Sequence, residues 1–301
     1  MEKYKLTQKD IEDGVDRILL DVYASSTISN KPKLIYIVAG PGAGKTSVEA
    51  HFRDLLKKED EKPYTLDSDK IAQFHPDYEE VVKELPEDGY RITRQFVRPV
   101  SPVVFDELMK KHISIINENV LNKGESDIEQ AKKFKKNGYK VLVNVMATDL
   151  FESRLSCYER NAAMLLAGLT PRGASKITQE NMYNCFVDEI RQLEQLGFCD
   201  EINVYIRGEN INEPPVLKYS SKGGNENKYR DFYEAIVEER RHQREKLTSN
   251  PEEYFQRIED AKKIIAEHRI KEELTNNLLI ELEELKEDFK KEIEKTEKQR
   301  D

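Results

Sequence analysis

The sequence has no surplus of positive charge. Its 301 residues carry 49 Lys and Arg against 58 Asp and Glu, for a formal net charge of -9. That balance gives no electrostatic grip on a nucleic-acid backbone, so no nucleic-acid partner is expected beyond what a local basic cleft could offer. Cysteine is scarce: Cys157, Cys185 and Cys199 are odd in number and lack metal-ligand spacing. A disulfide framework and a zinc site are therefore not indicated, and a reducing compartment fits. Long apolar runs are missing too, none approaching the ~20 residues of a membrane span. The opening stretch MEKYKLTQKDIEDG is too polar for a signal peptide, so the expected location is cytoplasmic, away from membranes. No repeat of 20 to 50 residues appears.

What is present begins with KLIYIVAGPGAGKTSVEAHF, residues 33–52. Apolar residues from Leu34 to Val38 run into a glycine-rich turn, after which Val48, Phe52, Leu55 and Leu56 recur at helical spacing. This is strand, loop, helix. Further β-rich runs follow at 62–69, 112–119, 140–148 and 201–208, each separated from the next by helical patterns, which implies parallel pairing and a doubly wound sheet. Ser101 and Pro102 read as the start of a helix over VVFDELMKKH, and Gly197 as the stop of one helix from Thr178, with Met182, Phe186, Ile190 and Leu193 on one side. After Gly208 the chain turns polar, read as loop and β-hairpin, and then becomes a charge-dense helical tail. In that tail Leu278, Leu282, Leu285, Phe289 and Ile293 are spaced for one apolar stripe, as an amphipathic helix or a coiled-coil segment. The expected organisation is one α/β domain over 1–228, including an N-terminal helix, and a helical extension over 229–301.

The turn has the parts of a phosphate cradle. Backbone N–H groups can converge on phosphate oxygens only where side chains are small, and a helix N-terminus behind them favours anions. Gly40, Gly42, Ala43 and Gly44 supply the turn, Lys45 the charge for the β and γ phosphates, and Thr46, followed by Ser47, the hydroxyl for Mg²⁺, whose other ligands would be mostly water. The fit to the Walker A pattern departs only at its first position, Ala39, where a small side chain is kept.

Transfer of the phosphoryl group to a hydroxyl also needs a carboxylate as base and cations on the moving charge. In open α/β sheets such groups come from strand carboxyl ends near the first strand. Asp67 and Asp69 end the second run and would face one way if the strand reached them; a turn with a helix N-cap is the competing reading. Glu118 ends the third. Arg160, on a helix whose Leu155, Tyr158, Ala162 and Leu165 point inward, and Arg172, in the loop LTPRGAS, could close over phosphates or simply be surface arginines.

Taken in order, AGPGAGKTS, LDSDKIAQFHPDYEE, FVRPVSPVVFDEL, KNGYKVLVNVMAT, CYERN, LTPRGAS and LGFCDEINVYIRGE resemble the zeta toxin family, P-loop kinases of bacterial toxin–antitoxin systems that phosphorylate UDP-N-acetylglucosamine. The resemblance spans Lys33 to Glu209. It implies an α/β fold of the P-loop NTPase kind, three-layered, with a mainly parallel sheet of about five strands; the charged helical C-terminal extension lies outside it. By resemblance, Lys45 and Thr46 match the phosphate lysine and the Mg²⁺ hydroxyl. Asp69 matches the catalytic base that would deprotonate the sugar 3′-hydroxyl. Arg160 and Arg172 match the arginines on the γ phosphate, Glu118 a substrate-binding acid, and Asp106 a further acidic substrate contact. ATP or GTP would be the donor and a small helical antitoxin the partner, docking near the N-terminal helix, where Ile11, Val15, Ile18 and Leu19 share a face. One departure stands out: Asn119, Val120 and Asn122 replace the Gly, Thr and Arg that follow the family's strand-end acid.

Three functions remain open at this point. The first is a zeta toxin-like kinase acting on a sugar nucleotide or another hydroxyl acceptor; the second, a nucleotide-binding regulatory module without phosphotransfer. The third is a nucleoside or polynucleotide kinase, whose polynucleotide form the acidic balance weakens.

Overall fold

The computed structural model describes residues 2–85, 89–119, 121, 123–169, 171, 176–209, 213–224, 227–269 and 272–298. In chain order the elements are α1 (Gln8–Ser25), β1 (Lys33–Val38), α2 (Lys45–Lys57), β2 (Tyr64–Leu66), α3 (Ser68–Ala72), α4 (Tyr78–Glu84), α5 (Gly89–Lys110), β3 (Ile115–Asn119) and α6 (Glu125–Lys136). They continue with β4 (Lys140–Met146), α7 (Leu150–Leu166), α8 (Lys176–Asn181), α9 (Val187–Gln195), β5 (Glu201–Ile206), β6 (Val216–Ser220), α10 (Phe232–Ser249), α11 (Pro251–Glu267) and α12 (Glu272–Lys298).

The strands form one sheet in the order β2-β3-β1-β4-β5-β6. β1 and β2 both run parallel to β3, with Leu34 opposite Ile115 and Ile37 opposite Glu118. β6 is a sixth strand, antiparallel to β5 with an irregularity at Val204/Tyr205; it arises from the stretch read as loop and hairpin. The sheet order reverses at β1, the kind of place where open α/β folds bind ligands. By internal compactness the chain divides into Met1–Val38, Val48–Asn144 and Glu189–Ile202 on one side, and Ala39–Ser47, Val145–Asp188 and Asn203–Asp301 on the other.

In the first unit, Leu34 to Val38 of β1 and Ile115 and Ile116 of β3 are wholly buried. α5 packs against α1, α3 and α4. At the α1 crossing a Cβ on Gly14 would stand 2.2 Å from Phe96 Cζ, so only glycine lets the helix approach this closely. Thr7 and Asp10 form a capping box that starts α1. Val15 and Ile18 are buried and Ile11 and Leu19 partly so. The apolar face of α1 expected to receive a partner is thus the face that packs inward. α5 begins at Gly89, twelve residues before the expected start at Ser101, and runs through Pro99 and Pro102. Both prolines are exposed, while Val100, Val104 and Leu108 are buried on the other side. Burial of that apolar face outweighs the lost backbone hydrogen bonds.

In the second unit α7 supplies Phe151, Leu155, Tyr158, Ala162 and Leu165 to a core completed by Tyr254, Ile258, Ala261 and Ile265 of α11 and Leu278, Leu282, Leu285 and Phe289 of α12. The Phe289 ring lies 4.2 Å from Tyr254 and 5.2 Å from Phe151, centroid to centroid. The stripe in the tail is therefore a core face. The single helix expected from Thr178 to Gly197 is instead α8 and α9 with a turn between them. Gly197, at φ +68, does close α9 as expected.

Candidate functional site

The loop Ala39–Ser47 follows β1 and ends in the first turn of α2, which opens on Lys45. Gly42 (φ +71) and Gly44 (φ +97) take left-handed backbone. A Cβ at Gly42 would fall 2.2 Å from the Ser153 carbonyl and 2.8 Å from Cys157 Sγ, so loop and α7 are in direct contact. Ala39, the methyl-bearing residue at the first motif position, is wholly buried. Lys45 Nζ donates to the carbonyls of Ala39 (3.2 Å) and Gly40 (3.3 Å), and Ser47 Oγ donates to the Gly44 carbonyl (2.9 Å). Thr46 is exposed beside them at the helix start.

The back of the loop is pinned by side chains that the sequence did not single out. Thr148 Oγ1 donates to the Ala43 carbonyl at 2.8 Å and Ser153 Oγ to the Pro41 carbonyl at 2.5 Å. Arg207, just beyond β5, donates to the Gly42 carbonyl through Nη2 and reaches the Ala43 carbonyl through Nε at 3.4 Å. A trans peptide points its carbonyl and its N–H in opposite directions. Holding the Ala43 carbonyl from behind therefore aims the Gly44 N–H the other way. The signal available in the sequence was position alone: an arginine one residue after a strand's carboxyl end.

Arg207 is held by Glu152, Nη1 to Oε1 at 3.0 Å. Burial pushes the Glu152 carboxyl up, but the hydrogen bonds and charge of Arg257, with Arg207, hold it below the usual carboxylate range. Cys157 is buried, and burial pushes its thiol up, while Arg160, Lys45 and Arg207 act in the opposite direction on that one sulfur. Arg160 and Lys45 are thus within electrostatic reach of the same atom. Arg160 itself is exposed on α7, with Leu155, Tyr158, Ala162 and Leu165 turned inward as their spacing predicts. Arg172 lies outside the described residues.

The expected acceptor-side acids all belong to the first unit. β2 stops at Leu66, and Asp67 is the N-cap of α3, its Oδ1 accepting from the Asp69 N–H at 3.0 Å. The two acids therefore do not share a strand face. Asp69 is the second residue of α3, half-buried. A cavity of about 970 Å³ is lined by Ser68, Arg94, Arg98, Asp106, Glu118 and Lys123 among others. Asp106 pairs there with Lys133 at 2.6 Å. Glu118 and Asp106 are thus brought to one pocket, alongside the neighbour of Asp69. Val120 and Asn122, two of the three departures, lie outside the described residues.

Among the described residues no three His, Cys, Asp or Glu side chains gather as a metal cage. The one exposed hydroxyl at the start of α2 suits Mg²⁺, which keeps most of its waters and arrives bound to phosphate. Likewise, among the described residues no helix is long and apolar enough to cross a membrane.

A glycine loop opening into a lysine-headed helix, after a central strand where the sheet order reverses, defines a P-loop kinase-like fold. The Zeta toxin family profile matches residues 17–214. Toxin zeta of Streptococcus agalactiae is 23% identical over 207 residues, covering 67% of this chain and 69% of that protein. Toxin zeta of Streptococcus pyogenes is 22% identical over 206 residues, with the same coverage. Among solved structures, one from the PezAT chromosomal toxin–antitoxin system of Streptococcus pneumoniae superposes with a TM-score of 0.63 at 22% identity, covering 75% of this chain and 86% of that one. The chain belongs to the zeta toxin family, the kinases of toxin–antitoxin systems to which its motif order pointed.

Proposed function

We propose that the protein is a nucleotide-dependent kinase that transfers the γ-phosphoryl group of ATP or GTP to the sugar 3′-hydroxyl of UDP-N-acetylglucosamine or a related hydroxyl compound, as the toxin of a toxin–antitoxin pair. The observation that carries this reading is the loop Ala39–Ser47, pinned from behind through its carbonyls and headed by Lys45 at a helix start. In this assignment Lys45 and the loop amides hold the β and γ phosphates, and Thr46 would hold Mg²⁺, which when bound neutralises charge between phosphate oxygens. Asp69 takes the acceptor's proton, while Arg160 and Arg172 stabilise charge on the transferring group. Glu118 and Asp106 line a pocket that would receive the acceptor. Membership of the family and the PezAT likeness support a small antitoxin as partner.

The test is phosphotransfer from ATP and Mg²⁺ to UDP-N-acetylglucosamine, with products read by mass spectrometry. The expected outcome is a monophosphorylated sugar nucleotide that vanishes with Lys45→Ala, and a turnover lowered about 10²- to 10⁴-fold by Asp69→Asn, the usual range for loss of a general base. Unchanged turnover in Asp69→Asn would remove the base assignment. Tight ATP binding without product would move the search to other hydroxyl acceptors, and failure with all of them would favour a regulatory nucleotide-binding module.

A further inference from the structure

The pinning of the phosphate loop continues into a helix outside the family-matched stretch. Arg257, on α11, grips two carboxylates of α7 with one guanidinium. Its Nη1 and Nη2 meet Glu152 Oε2 and Oε1 at 2.8 and 2.9 Å, and its Nε and Nη2 meet Glu159 Oε1 and Oε2 at 2.8 and 2.9 Å. The Glu152 oxygen that accepts from Arg257 Nη2 also accepts from Arg207 Nη1 at 3.0 Å, and Ser156 Oγ accepts from the same Arg207 nitrogen at 2.9 Å. Arg207 in turn donates to the carbonyls of Gly42 and Ala43. The side chains of Glu152, Arg207 and Arg257 are 17%, 30% and 30% exposed, so their mutual attraction is only partly screened.

We infer that Arg257 is a positioning residue for nucleotide binding: through Glu152 and Arg207 it fixes the phosphate loop, so that the C-terminal extension is part of the nucleotide site. This rests on the reading that the loop binds phosphate. The physical reason is geometric. Glu152 has to stand where one oxygen can serve two guanidinium groups, and a planar fork on Arg257 fixes both its oxygens at once. If Glu152 swings away, Arg207 loses its ionic partner and the Gly42 and Ala43 peptides lose the anchor that sets the direction of the next N–H groups. Glu159 offers an internal comparison, because Arg257 holds it with equal geometry, yet it accepts its hydrogen bonds from Arg257 and acts on Arg207 only through space, more weakly than Glu152 does.

The experiment compares Glu152→Gln, Glu159→Gln, Arg257→Ala and Arg257→Lys in the full chain. Melting temperature, affinity for a fluorescent ATP analogue and hydrogen–deuterium exchange across residues 40–47 without nucleotide are all measured. Glu152→Gln and Arg257→Ala are expected to weaken nucleotide binding roughly 3- to 30-fold, the span of typical coupling energies, and to speed loop exchange. Arg257→Lys, which keeps charge without the fork, should fall between wild type and Arg257→Ala. Glu159→Gln should lower the melting temperature while leaving affinity and loop exchange at wild-type values. Equal affinity and equal loop exchange in Glu152→Gln and Glu159→Gln would overturn the inference. A wild-type chain that binds no nucleotide would sink the phosphate reading instead, and loop exchange would still decide whether the relay holds the loop.

Discussion

His75 sits in the motif LDSDKIAQFHPDYEE, one of those that carry the family resemblance, and the structure gives it a structural job. It is buried at 2% exposure, its ring meets Phe96 edge-on at 5.9 Å, and its Nδ1 accepts the Asp77 N–H at 3.1 Å. Burial holds its imidazole below the usual range. A depressed imidazole value means that the unfolded chain takes up the proton first. Stability from His75 is then full above the unfolded value of about 6.5 and declines as pH falls below it. The melting temperature is expected to drop between about pH 7 and pH 5.5 in the wild type and to drop less in His75→Gln; parallel slopes in the two proteins would show that His75 contributes none of the decline. Single residues were also where the sequence was least legible. Lys45 and the glycines could be found from spacing, because a phosphate cradle constrains neighbours in sequence. Arg207, Thr148 and Ser153 approach the loop across more than 100 residues, and no local pattern marks them. The Asp67 and Asp69 pair was ambiguous for another reason: a strand end and a helix N-cap use the same short polar residues, and the cap prevailed.

At the scale of elements, periodicity succeeded where one face of a helix is buried and failed where backbone chemistry sets the boundary. The stripe Leu278, Leu282, Leu285 and Phe289 could be read directly, and those residues are 7%, 0%, 0% and 0% exposed. What periodicity could not supply was the partner, here α7 and α11. Pro102 looks like a first helical residue, which hides the first half of α5, yet a proline on the solvent side can be carried by a helix whose other side is buried. Leu282→Ala should cost about 2–5 kcal/mol of unfolding free energy, as large-to-small changes in packed cores do. Ile280→Ala, two positions away at 57% exposure, should stay within about 0.5 kcal/mol. Chemical denaturation of both variants checks the pair, and similar costs at the two positions would mean that α12 is not held by its apolar face.

For the whole molecule, the family-matched stretch ends at residue 214, while the core around α7 draws on residues as late as Phe289. Polar latches follow the same pattern. Arg244 binds the N-cap carboxylate Asp149 at 2.7 Å and Glu292 at 2.8 Å, and Asp288 holds both Arg154 and Lys176. Removing residues 229–301 would strip the partners from Phe151, Leu155, Tyr158, Ala162 and Leu165, and would leave Arg154, 2% exposed here, without its carboxylate. An apolar helix face of that length in water drives aggregation rather than an active short form. A chain truncated after Lys228 is therefore expected to be insoluble, or to melt well below the full protein, with lost nucleotide affinity as the consequence. An extension serving only as an inhibitory tail predicts the reverse: a soluble truncated protein with equal melting temperature and equal or higher phosphotransfer. Circular dichroism melting and nucleotide titration on the two chains separate these outcomes, because a tail can be shed without cost only if the helix beneath it was already covered.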